Sequence, residues 1–169
     1  VKTHELHSHH FDSTIWNDLQ FRDDDIVIAT PYKSGTTWMQ LIVGSLIFPD
    51  RSIHDVLSAR PLSHITPWID LPHPPLDGVI GALEAQAHRR FVKTHLPLDG
   101  LIYFPQLRYI VVHRDPRDVF MSLWNHHASY REGIIDAFSV PPAEDVHAFW
   151  RDWTTRGWFD WESEGYPYW

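Results

Sequence analysis

The sequence predicts an α/β fold in which an open, parallel β-sheet is flanked by helices. Three short segments, at residues 25–30, 90–94 and 108–113, have the apolar composition of buried strands. Segments with helical character follow the first and the third of them. Strands that alternate with helices form parallel sheets, because the connection between two parallel strands has to cross a face of the sheet.

The first strand leads into a loop and then a helix. Residues 25–30 (DIVIAT) are apolar after the first position and β-branched at three positions, which is typical of a strand buried on both faces. Turn-forming residues follow, and residues 37–48 (TWMQLIVGSLIF) have the apolar content of a helix buried on nearly all sides. A strand, a loop and a helix in this order form the arrangement that commonly cradles phosphate groups.

Residues 49–75 interrupt this regular pattern. They are rich in proline and lack a sustained hydrophobic period, so we expect a long surface excursion with one short helix at residues 53–59. A helical segment at residues 79–88 then precedes the second strand.

The third strand is followed by two further predicted helices. The helix at residues 115–130 is expected to have Asp115 or Arg114 as its cap, and Pro116 in the first turn, where its missing N–H costs nothing. An amphipathic helix at residues 143–157 ends at a glycine.

Composition and charge exclude several function classes. The chain has 169 residues, of which 43% are hydrophobic and 21% charged, as in globular proteins. A formal net charge of -8 disfavours a nucleic-acid partner, because binding a phosphate backbone needs clustered Lys and Arg. No stretch approaches the ~20 apolar residues of a transmembrane helix, and the polar start differs from a signal peptide. Zero cysteines exclude thiolate metal sites, and we expect a soluble, cytoplasmic protein.

The loop that begins at Lys33 has the composition of an anion site. The N–H groups of the four residues that follow, Ser34, Gly35, Thr36 and Thr37, are predicted to point together at a helix N-terminus, where the helix dipole adds about half a positive charge. Gly35 lets a ligand approach the backbone, while Lys33 and the threonine hydroxyls supply further donors. The lysine precedes the glycine, unlike in GxxxxGK[ST], which disfavours a kinase or an ATPase. A plain turn with a capping threonine is the alternative for the loop alone.

The segment TPYKSGTTW at residues 30–38 resembles the 5′-phosphosulfate loop of the sulfotransferase family, TYPKSGTTW, with the proline and tyrosine exchanged. The family's sulfonate donor is 3′-phosphoadenosine 5′-phosphosulfate (PAPS). The resemblance implies that Lys33 contacts the 5′-phosphosulfate, that Ser34 to Thr37 bind the 5′-phosphate, and that Trp38 stacks on adenine. It also implies a P-loop-like nucleotide-binding fold and a bacterial-type member.

Two further motifs follow in the family's order. KTHLP comes directly after the second strand, and the resemblance makes His95 the catalytic base and Lys93 a contact for the sulfonate oxygens. An imidazole with an ordinary pKa near ~6.5 can take a proton from a hydroxyl. In RDPRDVFMS, Arg114 and Ser122 match the family residues that bind the 3′-phosphate. Eight helical residues would separate them by ~12 Å, so Arg114 has to lie off the helix.

The three motifs together imply an enzyme that moves a sulfonate group from PAPS to an acceptor hydroxyl and releases 3′-phosphoadenosine 5′-phosphate (PAP). Lys33 and Lys93 neutralise the charge that develops in such a reaction, and no metal is required. The acceptor is expected to be a small-molecule or lipid-linked hydroxyl compound. Aromatic candidates for its pocket are Trp68, Phe104, Trp124 and Tyr130.

Members of the resembled family continue to a C-terminal, glycine-rich basic loop and a dimer-forming segment. Residues 1–169 are therefore expected to be the N-terminal part of a single sulfotransferase domain, and a homodimer stays open. Two alternative functions remain. A P-loop nucleotide or metabolite kinase would need a magnesium-binding carboxylate after a strand, where this chain has Arg114. A truncated, non-catalytic module would bind adenosine bisphosphate without turnover.

Overall fold

Three short parallel strands form the predicted sheet. The structure, a computed structural model, describes residues 2–7, 11–72, 75–128 and 145–156. In these ranges the strands are β1 (Ile26–Ala29), β2 (Phe91–Thr94) and β3 (Arg108–Val111). Their order is β2-β1-β3, and both neighbours run parallel to the central strand. The α/β fold with an open parallel sheet is confirmed, with strands one or two residues shorter at their ends than predicted.

Helices occupy most of the predicted positions. In the described ranges they are α1 (Thr36–Ile47), α2 (Ile53–Ala59), α3 (Leu62–Ile65), α4 (Leu76–Glu84), α5 (Pro116–Ala128) and α6 (Val146–Arg156), with a 3-10 helix at Ser13–Asn17. Helix α2 coincides with its predicted range, whereas α4 begins three residues earlier than predicted. The predicted helix end at Gly157 and the last two residues of the 115–130 helix lie outside the described residues.

The chain divides into two compact units. The first consists of Val1–Thr30 and Gly35–Val112, and the second of Pro31–Ser34 and His113–Trp169. The sheet and helices α1 to α4 belong to the first unit, while α5 and α6 belong to the second. That residues 1–169 form a single domain stays a prediction.

The central strand is buried on both faces, as the sequence predicts. Val27 and Ile28 have no exposed surface, and Ile28 belongs to a cluster with Val43 of α1 and Phe91 of β2. Strand β3 is less buried, with its first and last residues exposed. The carboxyl ends of β1 and β2 therefore lie side by side above a packed core.

Helix α1 is not buried on nearly all sides, so this prediction is wrong. Trp38, Ile42 and Leu46, spaced four residues apart on one face, are 78%, 49% and 76% exposed. The opposite face packs against the sheet through Val43 and Gly44. Added at Gly44, a Cβ would lie 3.0 Å from Ile53 Cδ1 and 3.6 Å from the Phe91 ring, so the glycine allows a close approach. Apolar residues lie on both sides of this helix, so the sequence does not show which side meets the sheet.

Residues 49–75 are not only a surface excursion, which corrects a second prediction. Ile69 and Asp70 are fully buried, and the backbone there pairs with β2. The Ile69 N–H donates to the Lys93 carbonyl at 3.2 Å, and the Lys93 N–H donates to the Pro67 carbonyl at 3.0 Å. A single bridge of this kind leaves no periodic pattern in the sequence.

Two ion pairs whose acidic residues, Asp24 and Asp25, are adjacent in sequence differ in burial. Arg90 Nε donates to Asp25 Oδ2 at 2.9 Å, and both side chains are almost fully buried where β1 and β2 begin. Arg108 Nε donates to Asp24 Oδ1 at 2.8 Å, and both of these side chains are mostly exposed. The buried pair has lost its water and depends on its partners, whereas the exposed pair is screened.

In the second unit, helices α5 and α6 pack against each other through aromatic side chains. Phe120 of α5 packs against Phe149 and Trp153 of α6, and Trp124, an acceptor-pocket candidate, packs against the same cluster. Asp115 caps α5 as predicted, because its Oδ1 accepts from the Arg117 N–H at 2.9 Å. The spacing of aromatic residues thus explains why these two helices pair.

Candidate active site

The predicted site residues are divided between the two units. The first unit contains Gly35, Thr36, Thr37, Trp38, Lys93 and His95. The second contains Lys33, Ser34, Arg114 and Ser122. Of the aromatic pocket candidates, Trp68 and Phe104 belong to the first unit and Trp124 to the second, while Tyr130 lies outside the described residues.

The N-terminus of α1 presents backbone donors. Gly35 is the N-cap residue, has φ of 105° and contributes no side-chain cap. The first N–H groups of a helix have no acceptor within the helix, so those at Thr36 and Thr37 are suited to an anion. Thr36 Oγ1 lies 2.5 Å from Thr30 Oγ1, which ties the start of the helix to the end of β1. The Thr36 hydroxyl is therefore engaged within the protein, whereas the Thr37 side chain is exposed.

His95 is held in a defined orientation at the carboxyl end of β2. Its Nδ1 lies 2.8 Å from the Thr30 carbonyl oxygen, and the residue is 6% exposed. A carbonyl oxygen only accepts hydrogen bonds, so Nδ1 is the nitrogen that carries the proton. In neutral imidazole this leaves the basic lone pair on Nε2. The ring also meets the Trp68 ring edge-on, with centroids 4.8 Å apart.

Lys93 lies on the same strand, two residues before His95. Its Nζ is 4.6 Å from the centroid of the Trp68 ring, within the range of a cation–π interaction. Burial lowers the pKa of Lys93, and the negative charge of Asp70 opposes that lowering. Trp68 therefore contacts both predicted catalytic side chains of the first unit.

Asp70 is a residue of this region that the motifs do not reveal. It is fully buried, and it accepts hydrogen bonds from the side chains of Trp16, Trp68 and Thr94. Burial raises its pKa to about 6 against the lowering effect of these donors. Its sequence context, IDLP in a proline-rich segment, contains no pattern that would have identified it.

In the second unit, Lys33 and Arg114 form a cationic pair. Lys33 has φ of 60°, a left-handed conformation that is costly for a residue with a side chain. Arg114 Nη1 donates to the Lys33 carbonyl at 3.2 Å. Burial, and secondly the Arg114 charge, lower the pKa of Lys33. The Ser34 N–H donates to the Pro31 carbonyl at 3.4 Å, so it closes a turn within the loop.

Arg114 lies off helix α5, as the 3′-phosphate prediction requires. The helix begins at Pro116, and Arg114 Nε is 3.8 Å from Asp118 Oδ2 in its first turn. Asp118 and Ser122 are four residues apart and share a helix face. The Arg114 side chain thus lies near Asp118, one helical turn before Ser122 on that face. His126 follows one turn later, and burial and the Lys33 charge lower its pKa.

In the part of the chain that the structure describes, no helix is long and apolar enough to cross a membrane. In the same part, no group of three or more His, Asp or Glu side chains is arranged to hold a metal ion.

Known proteins share both the sequence and the fold. A family model described as a sulfotransferase domain matches residues 23–165. A glycolipid sulfotransferase of Mycobacterium tuberculosis is 44% identical over 121 residues, which cover 72% of this chain and 36% of the relative. Cytosolic sulfotransferase 9 of Arabidopsis thaliana is 29% identical over 124 residues, covering 65% and 35%. The chain spans about a third of the length of these curated relatives.

A solved structure extends the likeness to the fold. Retinol dehydratase in a complex with retinol and PAP aligns with a TM-score of 0.59 and 22% identity, over 92% of this chain and 51% of that chain. At this identity the likeness concerns the fold alone. The family model, by contrast, matches more than half of the sequence and includes the three motifs. The chain belongs to the sulfotransferase family.

Proposed function

We propose that the protein transfers a sulfonate group from PAPS to the hydroxyl of an acceptor, with His95 as the general base. The observation that supports this most directly is the contact of His95 Nδ1 with the Thr30 carbonyl, 2.8 Å away. It leaves Nε2 as the nitrogen that can accept a proton. Membership of the sulfotransferase family supplies the reaction class.

The proposed reaction is an in-line displacement at sulfur. The acceptor hydroxyl oxygen forms a bond to the sulfur of PAPS, its proton passes to His95 Nε2, and the bond from sulfur to the 5′-phosphate oxygen breaks. The products are the sulfate ester and PAP. Lys93 is assigned to the sulfonate oxygens and Lys33 to the departing 5′-phosphate, because a cation at each of these positions stabilises the negative charge that develops there.

Donor binding is assigned to the loop and to the start of α5. The N–H groups at the α1 N-terminus and Lys33 bind the 5′-phosphosulfate, and Ser34 contributes from within the loop. Arg114 and Ser122 bind the 3′-phosphate, and the contact of Arg114 with Asp118, one helical turn before Ser122, supports this assignment. Trp38 stacks on adenine, and its 78% exposure leaves a ring face for that contact. That retinol dehydratase was solved with PAP is consistent with the same donor here.

The acceptor is proposed to be a lipid-linked hydroxyl compound. The relative with 44% identity is a glycolipid sulfotransferase. A cytoplasmic location agrees with the cytosolic sulfotransferase among the relatives. A homodimer belongs to the same proposal.

A transfer assay tests the proposed function. The full-length gene product is incubated with PAPS carrying labelled sulfonate and with a panel containing a glycolipid, a phenol and a steroid. We expect labelled product with the glycolipid. PAP binding without transfer to any acceptor would favour the non-catalytic module, and phosphate transfer from ATP would favour the kinase.

A further inference from the structure

The buried carboxylate of Asp70 accepts four hydrogen bonds from the surrounding protein. Trp16 Nε1 donates to Oδ2 at 3.0 Å, Thr94 Oγ1 donates to the same oxygen, and Trp68 Nε1 donates to Oδ1. The backbone N–H of His95 also donates to the carboxylate. Four donors suit an ionised carboxylate, which only accepts, and do not suit a protonated carboxyl group, which has to donate once.

These donors connect Asp70 to the residues that carry the proposed chemistry. Trp68, held at its Nε1, places its ring 4.6 Å from Lys93 Nζ and edge-on to the His95 ring. Thr94 lies between Lys93 and His95 in sequence, and its Oγ1 also accepts the Leu96 N–H at 3.0 Å. One carboxylate thereby restrains the backbone on both sides of His95 and the ring that both side chains contact.

Asp70 also determines the charge around Lys93. Burial lowers the pKa of Lys93, and the Asp70 charge raises it. The Asp70 charge acts on Lys93 of β2, and the backbone N–H of His95, the residue after that strand, donates to the carboxylate. The 3-10 helix contributes the neutral Trp16, and before it the Asp12 N–H donates to the Asp70 carbonyl at 2.8 Å. Lys93 is thus the cation that Asp70 faces.

We propose that Asp70 is a positioning residue for sulfonate transfer: its carboxylate fixes the Trp68 ring beside Lys93 and His95, and its charge keeps the Lys93 ammonium protonated. This inference rests on the proposed function. Asp70 does not touch the reacting atoms. It acts through Lys93, whose positive charge has to persist in a site that has little water to stabilise it.

The sequence offers a direct measurement that does not require turnover. Residues 1–169 contain three lysines, Lys2, Lys33 and Lys93, so ¹³C-labelled lysine gives few Cε signals from this part of the protein to assign by NMR spectroscopy. We expect the pKa of Lys93 to be lower in Asp70→Asn than in the unsubstituted protein, with those of the other two lysines unchanged. An unaltered Lys93 titration in a folded Asp70→Asn protein would overturn the proposal.

Trp16→Phe provides the matched control. It removes one donor to Asp70 and leaves the carboxylate charge in place, so the Lys93 titration should stay where it is. If Asp70→Asn does not fold, the His95→Ala protein tests the same relation without a change at Asp70. Its Lys93 Cε signal should then show a second step near pH 6, where Asp70 takes up a proton. The absence of that step would overturn the proposal.

Steady-state kinetics test whether the charge of Asp70 affects sulfonate transfer. In Asp70→Asn we expect kcat to fall about 10- to 100-fold with PAP affinity retained, since misplaced catalytic groups cost rates of this order. The alkaline fall of kcat should move to lower pH, because Lys93 loses its proton earlier. A role in stability alone would leave that alkaline fall in place. If the unsubstituted protein transfers no sulfonate but Asp70→Asn still lowers the Lys93 pKa, the proposed function fails and the link between Asp70 and Lys93 stands.

Discussion

His95 Nδ1 lies 2.8 Å from the carbonyl oxygen of Thr30, the residue that follows the central strand β1. Thr30 has two further contacts: its N–H donates to the Thr94 carbonyl at 3.2 Å, and its Oγ1 meets Thr36 Oγ1 at the start of α1. A single residue at the end of β1 thus positions the proposed base and the helix that presents the anion donors. Parallel sheets commonly bind ligands at this edge for the same reason.

The charge of Lys33 is expected to account for much of the donor affinity. Lys33→Ala should weaken PAP binding by about 10- to 150-fold, because a hydrogen bond to a charged group contributes ~1.5–3 kcal/mol. Isothermal titration calorimetry measures the change, with Lys2→Ala as the control for a lost charge elsewhere. ATP should bind much more weakly than PAP. Equal affinities for PAP and ATP, or an unchanged PAP affinity in Lys33→Ala, would contradict the assignment of this loop to donor binding.

The two neighbouring ion pairs should differ in their contribution to stability. Arg90→Met leaves Asp25 as a buried, unpaired charge and should lower the free energy of unfolding by ~3–5 kcal/mol. Arg108→Met removes the exposed pair with Asp24 and should cost at most ~1 kcal/mol. Urea denaturation followed by circular dichroism compares them. Equal losses of unfolding free energy in the two variants would mean that burial does not determine how much each ion pair contributes to stability.

Asp70 should make stability depend on pH in a specific direction. Burial raises its pKa from 3.8 to about 6 in the folded protein, so the folded state retains a proton that the unfolded state releases. The stability that protonated Asp70 contributes is fully present below its pKa of 3.8 in the unfolded state, and it is lost as the pH rises through about 6. Relative to Asp70→Asn, the unsubstituted protein should therefore lose about 3 kcal/mol between pH 3.5 and pH 7. Urea denaturation at both pH values gives the difference, and a constant difference would refute the shift.

The sequence predicts the parts of the fold that depend on local pattern. The apolar, β-branched run of β1 and the Asp-Pro start of α5 are local features, and the structure places both as predicted. The short segment at residues 53–59 predicts helix α2 by itself, and the helix has those bounds in the structure. By contrast, the exposed face of α1 could not be predicted, because apolar residues lie on both sides of this helix: Val43 is buried, whereas Ile42 and Leu46 are exposed.

The candidate site likewise contains residues that the sequence predicts and one residue that it does not. The resemblance of the three motifs to the sulfotransferase family identifies Lys33, His95 and Arg114 as candidates, and these residues lie next to turns and strand ends that the sequence reveals. Asp70 could not be predicted, because three of its four donors, on Trp16, Thr94 and His95, come from segments far from it in the chain. A buried acid in a proline-rich segment has the same local signature as an exposed one. Contacts between distant segments, and not local pattern, decide its role.

The most direct test of the central claim is the turnover of His95→Ala in the full-length gene product. Sulfonate transfer from labelled PAPS to the best acceptor gives kcat, and calorimetry gives the PAP affinity of the same preparation. We expect kcat to fall by ~10²–10⁴ with PAP affinity nearly unchanged, because proton transfer and donor binding involve different groups. A kcat close to that of the unsubstituted protein would show that His95 is not the base and would contradict the proposed mechanism.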